Sequence, residues 1–312
     1  METLVSSWFK DQSLPENYVF PPETRPGEAI VPVSKNIPII DLGKSVVGHD
    51  HRNNTVQQIL NAAQKFGFFQ VNNHGVSERQ NDYSKDPRKG CSLYTSSYNY
   101  DNEEIHFWRD NLRHPSHPLD EVIHRDVVGT YSVEVRSLSL RILDLICEGL
   151  GLQPGYFGDE FTNVQLLLVN HYPPCPNPSL TLGLSKHSDP NLITILLQGE
   201  VNGLQVFKDG QWIGVEPLPS AFVDNIGYQF QVISNGKLRS AEHRAVTNSR
   251  NARTTIVTFI NPSFSRIIEP AKALVNECKP PLYRAFRYGE FLNTYKAVKG
   301  DTEAALKPYK LD

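Results

Sequence analysis

Cysteine is scarce in this chain, and neither sign of charge dominates it. Its four cysteines, Cys91, Cys147, Cys175 and Cys278, stand far apart in 312 residues. That spacing offers neither the paired cysteines of a zinc site nor the dense bridging of a small secreted domain. The net charge is -3 and the basic residues are scattered, which leaves no electrostatic footprint for nucleic acid. No apolar run is long enough for a membrane span. The opening Met-Glu-Thr-Leu-Val-Ser-Ser-Trp has no basic stretch leading into an apolar one. A reduced, cytoplasmic setting without nucleic acid or membrane partners is the expectation. Repeats and low-complexity segments are absent too. At 39% hydrophobic composition, the chain can bury a full core.

What is present is ordered, with helical patterns first and strand patterns later. Residues to about Lys35 are rich in proline and charge and are expected to wrap the surface. Ile37-Pro38-Ile39-Ile40-Asp41 reads as a first short strand. Val56, Ile59, Leu60 and Ala63 have helical spacing within Thr55 to Lys65, and Phe66 to Val71 follows as a buried strand. The clearest helix runs from about Tyr131 to Leu150, with Val135, Leu138, Ile142, Leu145, Ile146 and Leu150 as one apolar stripe. From Asn163 onward short β-rich runs recur at Val164 to Asn170, Leu192 to Leu197, Leu204 to Phe207, Trp212 to Val215, Ala221 to Ile226 and Thr254 to Ile260. Phe230-Gln231-Val232-Ile233 also looks strand-like. The expected fold class is therefore mainly β with helical additions (α+β), its strands forming a sandwich or jelly roll. No linker divides the chain into independent domains.

Within that strand-rich half, His187 and Asp189 lie two positions apart on an extended segment, so their side chains point to one side. A single distant imidazole, His243, can complete a triangular face on a metal. Two histidines and one carboxylate suit ferrous iron, because they hold the ion while leaving three positions open. Arg253 adds a permanent positive charge downstream, with the Thr255 hydroxyl one alternation further on the same strand face. Together they can grip a carboxylate. Histidine followed two residues later by aspartate is nevertheless common, and His124 with Asp126 is a second case here. That pair sits in a charged stretch before a helix, without a later histidine in a strand-like setting. From spacing alone, the triad and a chance coincidence both remain open.

Longer motifs carry a resemblance. The run from Asn170-His171-Tyr172-Pro173-Pro174-Cys175-Pro176 through Gly183-Leu184-Ser185-Lys186-His187-Ser188-Asp189-Pro190-Asn191 to Ile233-Ser234-Asn235-Gly236 and His243-Arg244-Ala245-Val246-Thr247-Asn248 resembles the plant iron(II)/2-oxoglutarate-dependent dioxygenases. Phe66-Gly67-Phe68-Phe69-Gln70-Val71-Asn72-Asn73-His74-Gly75-Val76 is similar to the signature of their N-terminal region. The motifs fall in the family's order and cover most of the chain. Arg141-Ile142-Leu143-Asp144 and the terminal Lys307-Pro308-Tyr309-Lys310 look most like the hyoscyamine 6-dioxygenase-like branch.

The resemblance implies a double-stranded β-helix (jelly-roll) core over residues 161–312 with a C-terminal helix, and an N-terminal helical and mixed region over 1–160 packing on it. It implies iron(II) on His187, Asp189 and His243, and 2-oxoglutarate held at its distal carboxylate by Arg253 and Thr255, with Tyr172 and Asn170 helping to position it. Tyr172 as a core tyrosine and Asn170 as a polar strand end stay open as alternatives. Thr255 stands where the family usually has serine, and the hydroxyl is kept. His74 is expected to serve the turn before Gly75 and not a metal. Dioxygen completes the reactants, with ascorbate as a supporting reductant. The implied reaction hydroxylates, desaturates or epoxidises a small plant specialised metabolite while 2-oxoglutarate is decarboxylated to succinate, in a protein expected to be a monomer.

Two further features bear on the substrate and on competence. Tyr98-Asn99-Tyr100-Asp101-Asn102-Glu103-Glu104-Ile105-His106-Phe107-Trp108, with Tyr295, can line a pocket mouth. Carboxylates there favour a cationic amine such as an alkaloid; aromatics favour a flavonoid or other phenolic. The acidic residues as a solvated face and Trp108 as ordinary core are the alternatives. Compared with the family pattern, the stretch from Ser77 to Ser92 is short, and a second gap falls between Leu119-Asp120-Glu121 and Asp126-Val127-Val128. Lost helical cover would allow an impaired binding or regulatory remnant. An oxidase of the same fold that does not use 2-oxoglutarate is the other alternative.

Overall fold

A computed structural model describes residues 4–9, 13–77, 92–97, 100–117, 129–299 and 301–311. The two short stretches after Ser77 and after Glu121, Cys91, and the His124/Asp126 pair lie outside the described residues.

Two sheets face each other. The larger has eight strands in the order Ile39–Asp41, Phe68–Asn72, Phe222–Ile226, Ile193–Leu197, Arg253–Asn261, Val164–Tyr172, Asp110–His117 and Ser92–Thr95. The smaller has five: Val33–Ser34, Gln211–Val215, Leu204–Lys208, His243–Ala245 and Leu184–His187. The central strands of the large sheet carry apolar residues on both faces, and the pleat sends alternate residues into two separate cores. Phe68, Leu168, Leu196, Val223 and Val257 meet Leu204, Val206 and Val215 of the small sheet. Their immediate neighbours Phe69, Leu167, Ile195, Phe222 and Ile256 turn the other way, onto the helices. This is the jelly-roll sandwich with helical additions that the strand pattern predicts.

Helix His49–Lys65 and helix Thr130–Leu150 cover the outer face of the large sheet. The latter buries the whole apolar stripe from Val135 to Leu150 and stops at Gly151, whose φ of 71° is the left-handed cap that glycine adopts without penalty. The two helices touch at Gly149, where a Cβ would stand 2.4 Å from Leu60 Cδ1. Only glycine lets the axes come so close.

Two expectations are corrected. Phe230 to Ile233 is not a strand: Tyr228–Ile233 forms a short helix after Gly227, and Tyr228, Phe230, Val232 and Ile233 are all buried. With every side wetted by core, the apolar run has no period to read. The segment before Lys35 does more than wrap. Val5 and Tyr18 pack with Trp108 and Cys175 in a satellite core, and the backbone N–H groups of Val5 and Ser6 both donate to Asp110, each at 2.9 Å.

Candidate metal and co-substrate site

Strand His243–Ala245 lies antiparallel beside Leu184–His187 in a register that sets His243 directly opposite His187. Residues facing each other across an antiparallel pair bring their side chains together, and the two imidazole centroids are 4.2 Å apart. Each ring is fixed from behind. His187 Nδ1–H donates to the Ser185 carbonyl at 2.8 Å and His243 Nδ1–H to the Ala241 carbonyl at 3.1 Å. Both Nε2 lone pairs are thereby turned to the same point. The chain leaves its strand after His187 and curls so that Asp189 Oδ1 comes 3.6 Å from His187 Nε2 and 3.7 Å from His243 Nε2. Asp189 Oδ2 faces away, accepting from Thr194 Oγ1 at 2.7 Å and Asn225 Nδ2 at 3.5 Å.

The three donor atoms lie within 4.8 Å of one another, close enough to share one ion. Their protonation is already suitable. Burial would raise the Asp189 carboxyl, but His243, His187 and the Thr194 hydroxyl together hold it below the usual carboxylate range. Burial, helped by neighbouring His187, pushes the His243 imidazole down to about 4, against the pull of Asp189. At neutral pH the site offers a carboxylate and a neutral, nitrogen-donating His243. The residues present fit iron(II).

The carboxylate-gripping residues are adjacent by strand register as well. Arg253 pairs with Tyr172, and Thr255 with Asn170, across the antiparallel pair of Arg253–Asn261 and Val164–Tyr172. Asn170 Nδ2 donates to Thr255 Oγ1 at 3.5 Å. Arg253 is buried, its Nε donates to the Val201 carbonyl at 3.0 Å, and its guanidinium lies 5.3 Å from the Tyr172 ring centroid. Gly203 and Gly183 make room: a Cβ would meet Arg253 Cδ at 2.8 Å in one case and the Tyr172 ring at 2.5 Å in the other. All seven residues singled out in the sequence, Asn170, Tyr172, His187, Asp189, His243, Arg253 and Thr255, line one cavity between the sheets.

Other residues on its wall were not foreseen. Thr194 and Asn225 fall inside runs that read as plain core strands, and their alternation with Ile195 and Asp224 is the signal that they face the triad. Arg109 had no signal at all. His74 is a turn residue as expected: its Nε2–H donates to the Ser220 carbonyl at 2.8 Å while Nδ1 accepts from Val76 N–H. Trp108 is core, its indole N–H donating to the Pro173 carbonyl. Tyr295 on helix Tyr288–Ala297 donates to the Ser188 carbonyl at 3.0 Å and faces a wider outer cavity with Glu103 and Glu104. Tyr98 and Asn99 lie outside the described residues.

Residues 163–262 match the 2OG-Fe(II) oxygenase superfamily, and residues 37–89 match the family described as non-haem dioxygenase in morphine synthesis N-terminal. Hyoscyamine 6-dioxygenase of Hyoscyamus niger is 42% identical, with all of both chains covered. The chain belongs to the 2OG-Fe(II) oxygenase superfamily. The alignment with that relative runs over 352 positions against the 312 residues here, so it opens gaps in this oxygenase. Flavanone 3-dioxygenase 2 of Oryza sativa subsp. japonica is 37% identical over 96% of the chain and 94% of the relative. Among solved structures, JOX2 in complex with 2OG, Fe and JA superposes with a TM-score of 0.84 at 31% identity, covering 100% of this chain and 98% of that one. The oxygenase is a 2-oxoglutarate-dependent dioxygenase of the plant type, with iron and 2-oxoglutarate as its cofactors. No helix among the described residues is long and apolar enough to cross a membrane.

Proposed function

We propose that this oxygenase hydroxylates, desaturates or epoxidises a small plant specialised metabolite, an alkaloid or a phenolic such as a flavonoid, and couples that step to decarboxylation of 2-oxoglutarate to succinate and CO2. The observation that carries the reading is the convergence of two cross-strand Nε2 atoms and Asp189 Oδ1 in the same cavity as a buried Arg253. His187, Asp189 and His243 are read as the iron ligands. Arg253 with Thr255 takes the distal carboxylate of 2-oxoglutarate, and Tyr172 and Asn170 orient it. Bound iron and 2-oxoglutarate supply the oxidising chemistry. The chain's own residues fix geometry, keep the ligating imidazoles in one tautomer and exclude bulk water.

Residues 161–312 are read as the core that holds this apparatus, with the described part of residues 1–160 packing on it and adding outer strands to both sheets. Cys147, Cys175 and Cys278 are free thiols, in keeping with a reducing cytoplasm. A monomer with ascorbate as supporting reductant completes the reading.

Anaerobic titration with iron(II) and 2-oxoglutarate tests it, by way of the weak visible charge-transfer band of the chelated complex. The band is expected to appear and saturate; a folded protein that gives none would end the proposal. Arg253→Lys is expected to weaken 2-oxoglutarate binding on the order of tenfold to a hundredfold, because an ammonium cannot reproduce the two parallel hydrogen bonds of a guanidinium. The same titration reads this, and unchanged affinity would move the carboxylate to another residue.

A further inference from the structure

The wider cavity of about 360 Å³ opens outward from the metal site, sharing Arg109, Leu184 and His187 with the inner one. Its charge is not what the sequence suggests. Glu103 and Glu104 both line it, but so do Arg109, Arg113, Lys296 and Lys299. Four cations therefore face two carboxylates, and the carboxylates are engaged. Glu103 accepts from the Ser96 and Ser97 hydroxyls and lies 3.3 Å from His106 Nδ1, while Glu104 accepts from Lys299 Nζ at 3.3 Å. An incoming ammonium group would have to displace these donors to reach either carboxylate.

Arg109 is the permanently charged residue on the wall shared by the two cavities. It is 5% exposed. Its Nε donates to the Ser96 carbonyl at 2.8 Å and Nη1 to Asn170 Oδ1 at 3.3 Å, which fixes the plane of the guanidinium. Nη2 has no hydrogen-bond partner, and no carboxylate pairs with the group, among the described residues. The guanidinium is permanently charged, has no carboxylate partner among the described residues and lines both cavities, so its charge is offered to whatever enters them. Phe107 stands beside it at 5.6 Å, and Phe20 and Tyr295 supply further aromatic wall.

We infer that this outer cavity takes a substrate bearing a carboxylate on an aromatic body, an aromatic or phenolic acid and not a cationic amine, with Arg109 as the residue that grips the carboxylate. The inference rests on the functional reading above. It places the anionic end of the substrate on the guanidinium and leaves its aromatic body between Phe107 and Tyr295, beside His187.

The test is anaerobic calorimetry on protein saturated with iron(II) and 2-oxoglutarate, using a matched set: 3-phenylpropanoate, 3-phenylpropanamide and 3-phenylpropylamine. The acid is expected to bind on the order of tenfold to a hundredfold more tightly than the amide, the range for hydrogen bonds to charged groups, with the amine weakest. Arg109→Gln is expected to abolish the preference for acid over amide, and Arg109→Lys to keep part of it. Equal binding of acid and amide, or tighter binding of the amine, overturns the inference. So does an acid preference that survives Arg109→Gln. A fall in 2-oxoglutarate affinity in Arg109→Gln equal to the fall in probe affinity assigns the guanidinium to the co-substrate and overturns it as well. Should Arg109→Gln not fold, the wild-type ranking and the Lys variant still decide. Absence of the chelate band in wild type strikes the functional reading itself, whereas a normal band with no acid preference strikes this inference alone.

Discussion

His187→Ala should eliminate both the chelate charge-transfer band and turnover while leaving the fold intact. The side chain it removes supplies one of two nitrogens aimed at a shared point, and it contributes little to the core. Altering the groups that merely orient a metal ligand costs about ten- to a hundredfold in metal affinity or activity; deleting the ligand should exceed that. The neighbouring Ser185 carbonyl, which accepts from His187 Nδ1, loses only one hydrogen bond at a partly exposed position. Far-ultraviolet circular dichroism should be unchanged, while iron titration and succinate release should both fall to background. Retained turnover would dissolve the triad assignment, because Asp189 and His243 alone do not make a triangular face.

The second large effect concerns stability and lies on the opposite side of the large sheet. Asp224 is fully buried on strand Phe222–Ile226, where alternation points it with Phe222 and Ile226 toward the helices. Its partners across the sheet are Phe69 and Ile195. Neither carboxyl oxygen has a hydrogen-bond partner among the described residues. Burial pushes its pKa well above the usual carboxylate value. An unsatisfied buried polar group costs about 1–3 kcal/mol even when neutral. Asp224→Val should therefore stabilise the protein by about 2 kcal/mol or more, with valine also suiting a strand packed on both faces.

The pH dependence gives this prediction its sign. With the folded pKa raised, the unfolded chain loses the Asp224 proton first, so this group's contribution to stability declines as pH rises above about 4. The advantage of Asp224→Val should grow from pH 5 to pH 8 in urea unfolding. Asp224→Asn removes the titration but keeps an unpaired polar group, and should recover only the pH-dependent part. A valine variant with no gain, or a gain that shrinks toward alkaline pH, would mean that Asp224 has a partner in solution.

Much of the site was legible because its geometry is local to strands. Arg253 and Thr255 share a face by alternation, and strand Arg253–Asn261 extends the β-rich run Thr254 to Ile260 by one residue at each end. The bounds of Val164–Tyr172 and Phe222–Ile226 likewise lie within a residue or two of their runs. What spacing alone cannot supply is pairing. Nothing local to His243 says that its strand lies against His187. Only the repeated motif order of a family brought the two together before the structure did. Arg109 was hidden for a related reason. Strand Asp110–His117 is polar and contains Pro115, so it does not read as a strand, and the residue preceding it had no assigned direction. In the sequence the glutamates at the pocket mouth stand as carboxylates that favour a cationic amine or as a solvated face; the Ser96 and Ser97 hydroxyls and the Lys299 ammonium that engage them are identified as their partners only in the fold.

The direct opposition of His187 and His243 has one more consequence. In a β-ladder a slip of one residue turns a side chain to the opposite face, and these two strands are only four and three residues long. An ion held across them would bind only the correctly paired chain, adding stability to that pairing in proportion to metal concentration. Iron would thus act as a proofreader of strand alignment: a molecule folded one step out of phase would keep its sheet content and lose its metal. Chelator sensitivity during refolding would then report on alignment fidelity rather than on catalysis.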